Sequence, residues 1–352
     1  MKQSLLIVDK HPFGRLTDSY KWCQYLREKY AISFICFDDG SDIQMSGVSI
    51  IRVKRYKLKQ LRGIIFLLTS LFYVYLSKGP IFIVYFEHCS VIKRFAPWKK
   101  MHIDVRTVAV WGDQLVKDKY DSHMRSECLL FDSISVISEG VKNRLELKEA
   151  TLLPLGGESL SSSPKTYDNL RLIYVGTLTG RRIEDTIIGL RLFLDNKERR
   201  VDIQYDIIGD GHLGEFEYLK ELVKSLNLSE YVHLRGRVDY KDLGAYYDNA
   251  NIGVCYIPIT PSYDIQPSTK VFEYSLSGLY TIATGTKENN RIIDPVNGFI
   301  IRDEPEDFCR ALNYVEMHKM EFNEQEIRAH LCTYTWHNIV NSSLQPVLDV
   351  LG

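Results

Sequence analysis

Short apolar runs alternate with stretches whose apolar residues return every three or four positions, and this alternation repeats along most of the chain. Runs of the first kind predict buried strands, and stretches of the second kind predict amphipathic helices. Residues 5–8 read as a buried first strand, followed by a loop at 9–17 that carries Gly14 and a helix through Trp22, Tyr25 and Leu26. Strands are predicted at 32–37 and 48–53, with Asp38, Asp39 and Gly40 supplying the turn between them. Further strands follow at 81–86, 102–106 and 134–138, then a short helix at 139–145 and a last apolar run at 151–155. Residues 158–168, ESLSSSPKTYD, are polar, rich in serine and interrupted by Pro164, which is the composition of a linker. The alternation then restarts, with strands at 170–175, 205–208, 232–234 and 252–256 and helices from about 183, at 215–226 and at 243–249. Strict alternation predicts an α/β protein built from two doubly wound parallel-sheet domains. The expected parts are residues 1–158, a linker at 159–168, residues 169–330 and a tail at 331–352, within a helical periodicity that begins at Ile327 and runs through Trp336 to Leu351.

Composition narrows the class. A chain of 352 residues that is 45% hydrophobic can bury two cores. A formal net charge of −1 speaks against a general nucleic-acid binder, whose polyanionic partner demands a basic excess. Seven scattered cysteines with no C-x-x-C suggest neither a disulfide framework nor a zinc site, and place the chain in the cytosol. Met1 runs almost directly into the first strand, so no secretion signal is expected. One region departs from the average: Arg52, Lys54, Arg55, Lys57, Lys59 and Arg62 are followed at once by the apolar stretch 64–76. That stretch is shorter than the roughly 20 residues a membrane span needs. It is either a buried helix or a surface helix which, with the cations of 52–62, docks on anionic lipid.

Several polar groups fall where strands end. In open α/β sheets ligands bind at the carboxyl ends of strands, so His88, Asp104 and Arg106 become candidate cleft residues. Gly209, Gly211 and Gly214 show G-x-G-x-x-G spacing after a strand, which taken alone indicates dinucleotide binding. The unit is internal, however, and the nearest suitable acid, Asp239, lies 25 residues beyond Gly214. Gly176 follows another strand and stands before Arg181 and Arg182, so backbone can approach a phosphate while one of the two guanidinium groups grips it; which one stays open. No two aspartates stand two apart, so the D-x-D device for holding a divalent cation against a diphosphate is missing.

The most informative stretch is QPSTKVFEYSLSG, residues 266–278, between two apolar runs. Pro267 biases Gln266 away from helix, and Ser268 is placed to cap a helix that starts there. The free N–H groups and positive dipole end of such a helix, with Lys270 beside them, suit a phosphate. Thr269 and Lys270 share a face with Glu273, whose carboxylate can accept from a diol one turn deeper. Phosphate plus diol describes a nucleotide.

This segment resembles the donor motif of the retaining glycosyltransferases of the two-domain GT-B fold, the family 4-like group 1 glycosyl transferases, in their bacterial polysaccharide branch. The resemblance implies two Rossmann-like domains facing a cleft, with a C-terminal helix crossing back to the first domain. It gives Glu273 the ribose hydroxyls and Lys270 the pyrophosphate, reads Gly209 and Gly211 as a donor-lining Gly-Asp-Gly turn, and sets Gly14, Gly176, Ser268 and Thr269 with the donor residues. The family's first motif acid would fall at Ile265; the nearest acid is Asp264. Catalytic candidates are therefore Lys270, Arg181, Asp264 and His88, with Arg182 beside the donor and Asp104 and Arg106 on the acceptor side. The implied activity moves a sugar from a nucleoside-diphosphate sugar to the hydroxyl of a lipid-linked saccharide acceptor in capsule, O-antigen or exopolysaccharide assembly, at the inner face of the membrane. No metal and no cofactor beyond the donor are expected. A GT-B nucleotide-sugar epimerase and a catalytically silent GT-B subunit are the competing readings.

Overall fold

The computed structural model describes residues 2–196, 201–212 and 214–351. It divides into two compact units, Met1–Gly156 with Trp336–Gly352, and Gly157–Thr335.

The first unit is a seven-stranded sheet whose strands in chain order are β1 (Gln3–Val8), β2 (Tyr30–Phe37), β3 (Val48–Val53), β4 (Ile81–Val84), β5 (His102–Val105), β6 (Ser133–Val136) and β7 (Thr151–Leu152). Their spatial order is β3-β2-β1-β4-β5-β6-β7, and every pairing is parallel. The chain winds outward from β1 in one direction and from β4 in the other. The junction between β1 and β4, in register at Leu6 and Ile81, is thus a topological switch point. Strands β4 and β5 are buried at every residue, as parallel strands covered on both faces should be. Trp22, edge-on to Phe82 of β4, and Phe34 of β2 are completely buried, each contributing roughly 1.5–3 kcal/mol by leaving water.

The second unit repeats the plan with β8 (Leu170–Val175), β9 (Ile203–Ile208), β10 (Val232–Gly236), β11 (Ile252–Cys255), β12 (Tyr280–Thr284) and β13 (Gly298–Ile301). Their order is β10-β9-β8-β11-β12-β13, all parallel, so the switch point lies between β8 and β11. The core of this unit gathers Leu172, Tyr174, Tyr205, Ile252, Ile282 and Phe308. The Ser-rich segment is bound along its length to the second unit: the Asp248 carboxylate accepts from Ser161 Oγ and from the N–H groups of Ser162 and Ser163.

Several elements differ from the sequence reading, three of them instructively. The apolar stretch 64–76 is part of a longer helix, Lys59–Leu76, that buries only the stripe Phe66, Ser70 and Val74 and exposes Leu61, Ile64, Leu68, Phe72, Tyr75 and Leu76. Neither a wholly buried helix nor a membrane span describes it; among the described residues no helix is long and apolar enough to cross a membrane. The helix Gln114–Cys128 escaped notice because it is polar nearly all round; its start is fixed by the Asp113 side chain, which accepts from Val116 N. The expected helical tail is interrupted: helix Glu324–His330 ends, a short 3₁₀ turn Cys332–Tyr334 follows, and helix resumes at Trp336 with a wide turn at Val340–Leu344. Thr335 is extended between these pieces because it bridges to Gly157.

Candidate functional site

At the switch point of the second unit, two turns close over one helix. Strand β8 leads into Gly176 and β9 into Gly209, and the two backbones nearly touch: a Cβ on Gly209 would fall 1.8 Å from the Gly176 carbonyl oxygen. A Cβ on Gly176 would in turn lie 2.5 Å from Lys270 Cε and 2.7 Å from its Nζ, so only glycine lets the lysine rest against this turn. Bonds from Leu178 N to Asp210 O and from His212 N to Thr179 Oγ1 lace the two loops together. Gly211 N–H is satisfied within the same turn by the Asp210 carboxylate.

Lys270 belongs to the helix Thr269–Leu276 and lies 5.6 Å from the centre of the Tyr174 ring. Burial pushes its ammonium below the usual lysine range; Cys255 and Glu273 pull it back upward while the neighbouring charge of Arg181 pushes it further down. Arg181 stacks on Tyr263 at 4.4 Å, and its Nε and Nη1 are buried with no hydrogen-bond partner among the described residues. Buried guanidinium donors left open are costly, and such a group calls for an acceptor that is not part of the chain. Arg182, in contrast, is held in the left-handed region with φ of 52° and is engaged by Asp185 at 2.7 Å and Asp303 at 3.3 Å. The geometry thus separates the two arginines, with Arg181 beside Lys270 and Arg182 spent on ion pairs.

Ser268 occupies the position before the helix, but its hydroxyl makes no capping bond, contrary to the expectation from sequence. It is buried and lies against the Cys255 thiol instead, which leaves the first N–H groups of the helix without that cap. Thr269 opens the helix, and Glu273, one turn on, stands beside Tyr247, whose phenol is raised well above its ordinary pKa by burial first and by the Glu273 carboxylate second. Asp264 is engaged elsewhere: its carboxylate accepts from Lys287 N at 2.8 Å and lies 3.1 Å from Lys287 Nζ.

The candidates in the first unit do not gather into one site. Gly14, with φ of 85°, packs its backbone against Ile43 in the loop after β1. Asp104 and Arg106 were expected at an open edge and are instead buried: Arg106 donates to Asp18 at 2.6 Å and to the Leu153 carbonyl, and lies 3.6 Å from Asp104. Charges at the end of a covered strand persist only when paired; Arg106 and Asp18 are paired, whereas Asp104 Oδ2 and Arg106 Nη2 make no hydrogen bond among the described residues. His88 is exposed, with φ of 72°, and donates its N–H to Glu127. His88, His123 and Glu127 bring their donor atoms within 4.8 Å of one another, a spacing a metal ion could use. Yet the Glu127 carboxylate already accepts from Tyr85 Oη, His88 N, Ser90 N and Ser90 Oγ. Two carboxylate oxygens offer about four lone-pair sites, and here they are filled. Glu127 is thus an anchor for the turn at 85–90, a role that sequence pattern missed because its partners lie 37–42 residues away.

Residues 169–316 match the family model of the glycosyl transferases group 1. No curated protein sequence matches the chain. Among solved structures, sucrose-phosphate synthase from Thermosynechococcus elongatus superposes with a TM-score of 0.76 at 15% identity, over 99% of both chains. The Anabaena protein Alr3699/HepE, in complex with UDP and glucose, gives 0.76 at 13% identity over 99% of this chain and 100% of its own. The lipopolysaccharide outer core galactosyltransferase WaaB gives 0.71 at 15% identity over 98% and 100%. Residues 169–316 thus resemble the glycosyl transferases group 1, and the two parallel-sheet units share the GT-B fold of these solved structures.

Proposed function

We propose that the chain is a retaining glycosyltransferase that moves a sugar from a nucleoside-diphosphate sugar to the hydroxyl of a lipid-linked saccharide in surface-polysaccharide assembly. The observation that carries this reading is the pair Lys270 and Arg181 at the β8/β11 switch point, two cations beside an uncapped helix start, one of them with open buried donors. A diphosphate supplies the missing acceptors, and Glu273 one turn deeper takes the ribose hydroxyls. Solved relatives of the fold hold UDP with glucose and UDP-glucose, which favours a nucleoside diphosphate as the ligand here. As the bond to the sugar breaks, negative charge grows on the departing diphosphate, and preorganised cations and N–H groups stabilise it without reorganising. On this reading the diphosphate needs no metal ion.

Titration with UDP, GDP and other nucleoside diphosphates tests the site. Glu273→Ala should weaken the preferred ligand by roughly 1.5–3 kcal/mol, the scale of hydrogen bonds to a charged group. Wild-type affinity and turnover should be unchanged by EDTA; a loss restored by Mg²⁺ or Mn²⁺ overturns the metal-free reading, and unchanged affinity in a folded Glu273→Ala variant overturns the ribose assignment.

The same reading places the enzyme on the inner membrane face. The helix Lys59–Leu76 turns an apolar ridge to solvent, and Trp98, 66% exposed and 5.7 Å from the Tyr75 ring, extends it. Lys54, Arg55 and Lys57 precede the ridge and are exposed. Cations near an anionic surface contribute about 1 kcal/mol each, within a Debye length. Sedimentation with anionic vesicles should therefore be lost in high salt and reduced by Lys54→Gln, Arg55→Gln and Lys57→Gln together. A wild type that ignores such vesicles at low salt removes the membrane from the proposal.

A second reading, a silent nucleotide-binding subunit, draws on Asp264 and Ile265. The first is held by Lys287 and the second is buried, so neither offers a free acid where the family has one. Release of free nucleotide from a nucleotide sugar in the presence of acceptor separates the two: binding without turnover favours the silent subunit.

A further inference from the structure

The switch point of the first unit carries a groove that the donor site does not explain. Strand β1 exits through Lys10, β2 ends at Phe37 and β4 exits through Phe86, Glu87 and His88; these residues and the first turns of the helix Lys59–Leu76 enclose about 680 Å³. A groove of this size at a switch point is where an open α/β sheet takes a ligand. Its floor is aromatic: Phe37 and Phe66 lie 4.5 Å apart and Phe66 and Phe86 5.3 Å apart. Its rim carries three cations, Lys10, Lys59 and Arg62, against one carboxylate, Glu87, and is net positive; Arg62 sits 5.8 Å from the Phe37 ring.

Two features say what would fill it. Many cations of this near-neutral chain have carboxylate partners, such as Arg106 with Asp18 and Arg144 with Asp121, whereas among the described residues none of Lys10, Lys59 and Arg62 forms an ion pair. The helix also begins with no acidic residue in its first turn and no side-chain cap, so Lys59 and Arg62 add to the positive end of its dipole rather than offsetting it. The groove is therefore complementary to an anion. A bare anion would leave the aromatic floor wet, and a neutral lipid would leave three charges unmatched. An apolar chain ending in phosphate meets both demands, and the exposed Ile64 and Leu68 continue an apolar path from the groove along the helix.

We propose that this groove seats the phosphate end of the acceptor lipid, with Lys10, Lys59 and Arg62 on the phosphate and Ile64, Leu67 and Phe86 on the first part of the apolar chain. The saccharide then extends toward Glu87 and His88. The proposal rests on the glycosyltransferase reading for its place in a reaction, but the binding it asserts is independent of any donor. It is tested on the full chain, without nucleotide sugar, by calorimetric titration of farnesyl diphosphate, inorganic diphosphate and farnesol. Farnesyl diphosphate should bind, and the other two about tenfold more weakly or less, since each lacks half of the recognition. Lys59→Gln with Arg62→Gln should weaken farnesyl diphosphate about tenfold or more while UDP binding is retained; Glu273→Ala should do the reverse. Farnesyl diphosphate that fails to bind, or binds the double variant as well as the wild type, overturns the proposal. Equal affinity for inorganic diphosphate overturns the apolar half of it. A double variant impaired only in sedimentation with anionic vesicles shows that these cations serve lipid headgroups at the surface and not a seated acceptor. Loss of UDP binding alone in the wild type would sink the donor site and leave the groove standing.

Discussion

Arg181→Ala is expected to lower kcat by roughly 10²–10³-fold, the cost of removing one preorganised donor from a developing anion, and to leave the protein folded. Arg181 Nε and Nη1 are buried and have no hydrogen-bond partner among the described residues, so truncation there breaks no such bond and relieves a standing desolvation cost. Its stacking on Tyr263 holds the guanidinium plane in place beside Lys270, so the effect should appear in kcat more than in ground-state binding. Arg182→Ala is the matched control. It removes two ion pairs, to Asp185 and Asp303, yet should change turnover little. If Arg182→Ala proves the more damaging to turnover at equal folding, the assignment of the two arginines is reversed.

Arg106→Leu should destabilise the first unit by roughly 3–5 kcal/mol, the cost of leaving a buried charge without its partner. Two carboxylates depend on this one guanidinium: Asp18 at 2.6 Å and Asp104 at 3.6 Å, and Asp104 is completely buried. Burial raises Asp104 from its ordinary value to about 6, even though Arg106 and the Ser135 hydroxyl both pull it down. An acid whose folded pKa is raised contributes stability that is fully present below its unfolded value, near 3.8, and is lost as pH rises through about 6. Without Arg106 the folded pKa rises further and the loss deepens. Urea denaturation across this range should show the variant closest to wild type at the acid end. A uniform offset at all pH values would mean that packing on Trp22, 5.3 Å from the guanidinium, and not charge, is what Arg106 supplies.

The fold was readable because it is written locally. Buried parallel strands such as β4 and β11 carry no polar side chain, and the polar segments between them mark the turns. The spacing that puts Lys270 and Glu273 on one helix face is likewise local, as is the glycine that each close turn requires. What sequence could not give were choices made by distant partners. Arg182 is drawn off partly by Asp185, three residues on, but also by Asp303, more than a hundred residues on, and that second partner is not visible from the local sequence. Asp104 and Arg106 looked like open-edge chemistry until Asp18 closed over them. Ser268 had the right position for a cap, but its side chain was drawn toward Cys255 across the sheet edge. The helix Gln114–Cys128 carried a readable sign, Asp113 at its start, without the apolar stripe that usually accompanies one.

Lys270 sits with its pKa held down by burial, next to a second cation. On the proposed donor reading, an arriving diphosphate would oppose both influences, since its charge favours the protonated amine. Between the free and the bound pKa, association must therefore draw a proton from solution, and the measured binding heat will depend on the ionisation enthalpy of the buffer. Release of the diphosphate after transfer returns that proton, so each turnover at such a pH would carry a proton in with the donor and out with the product.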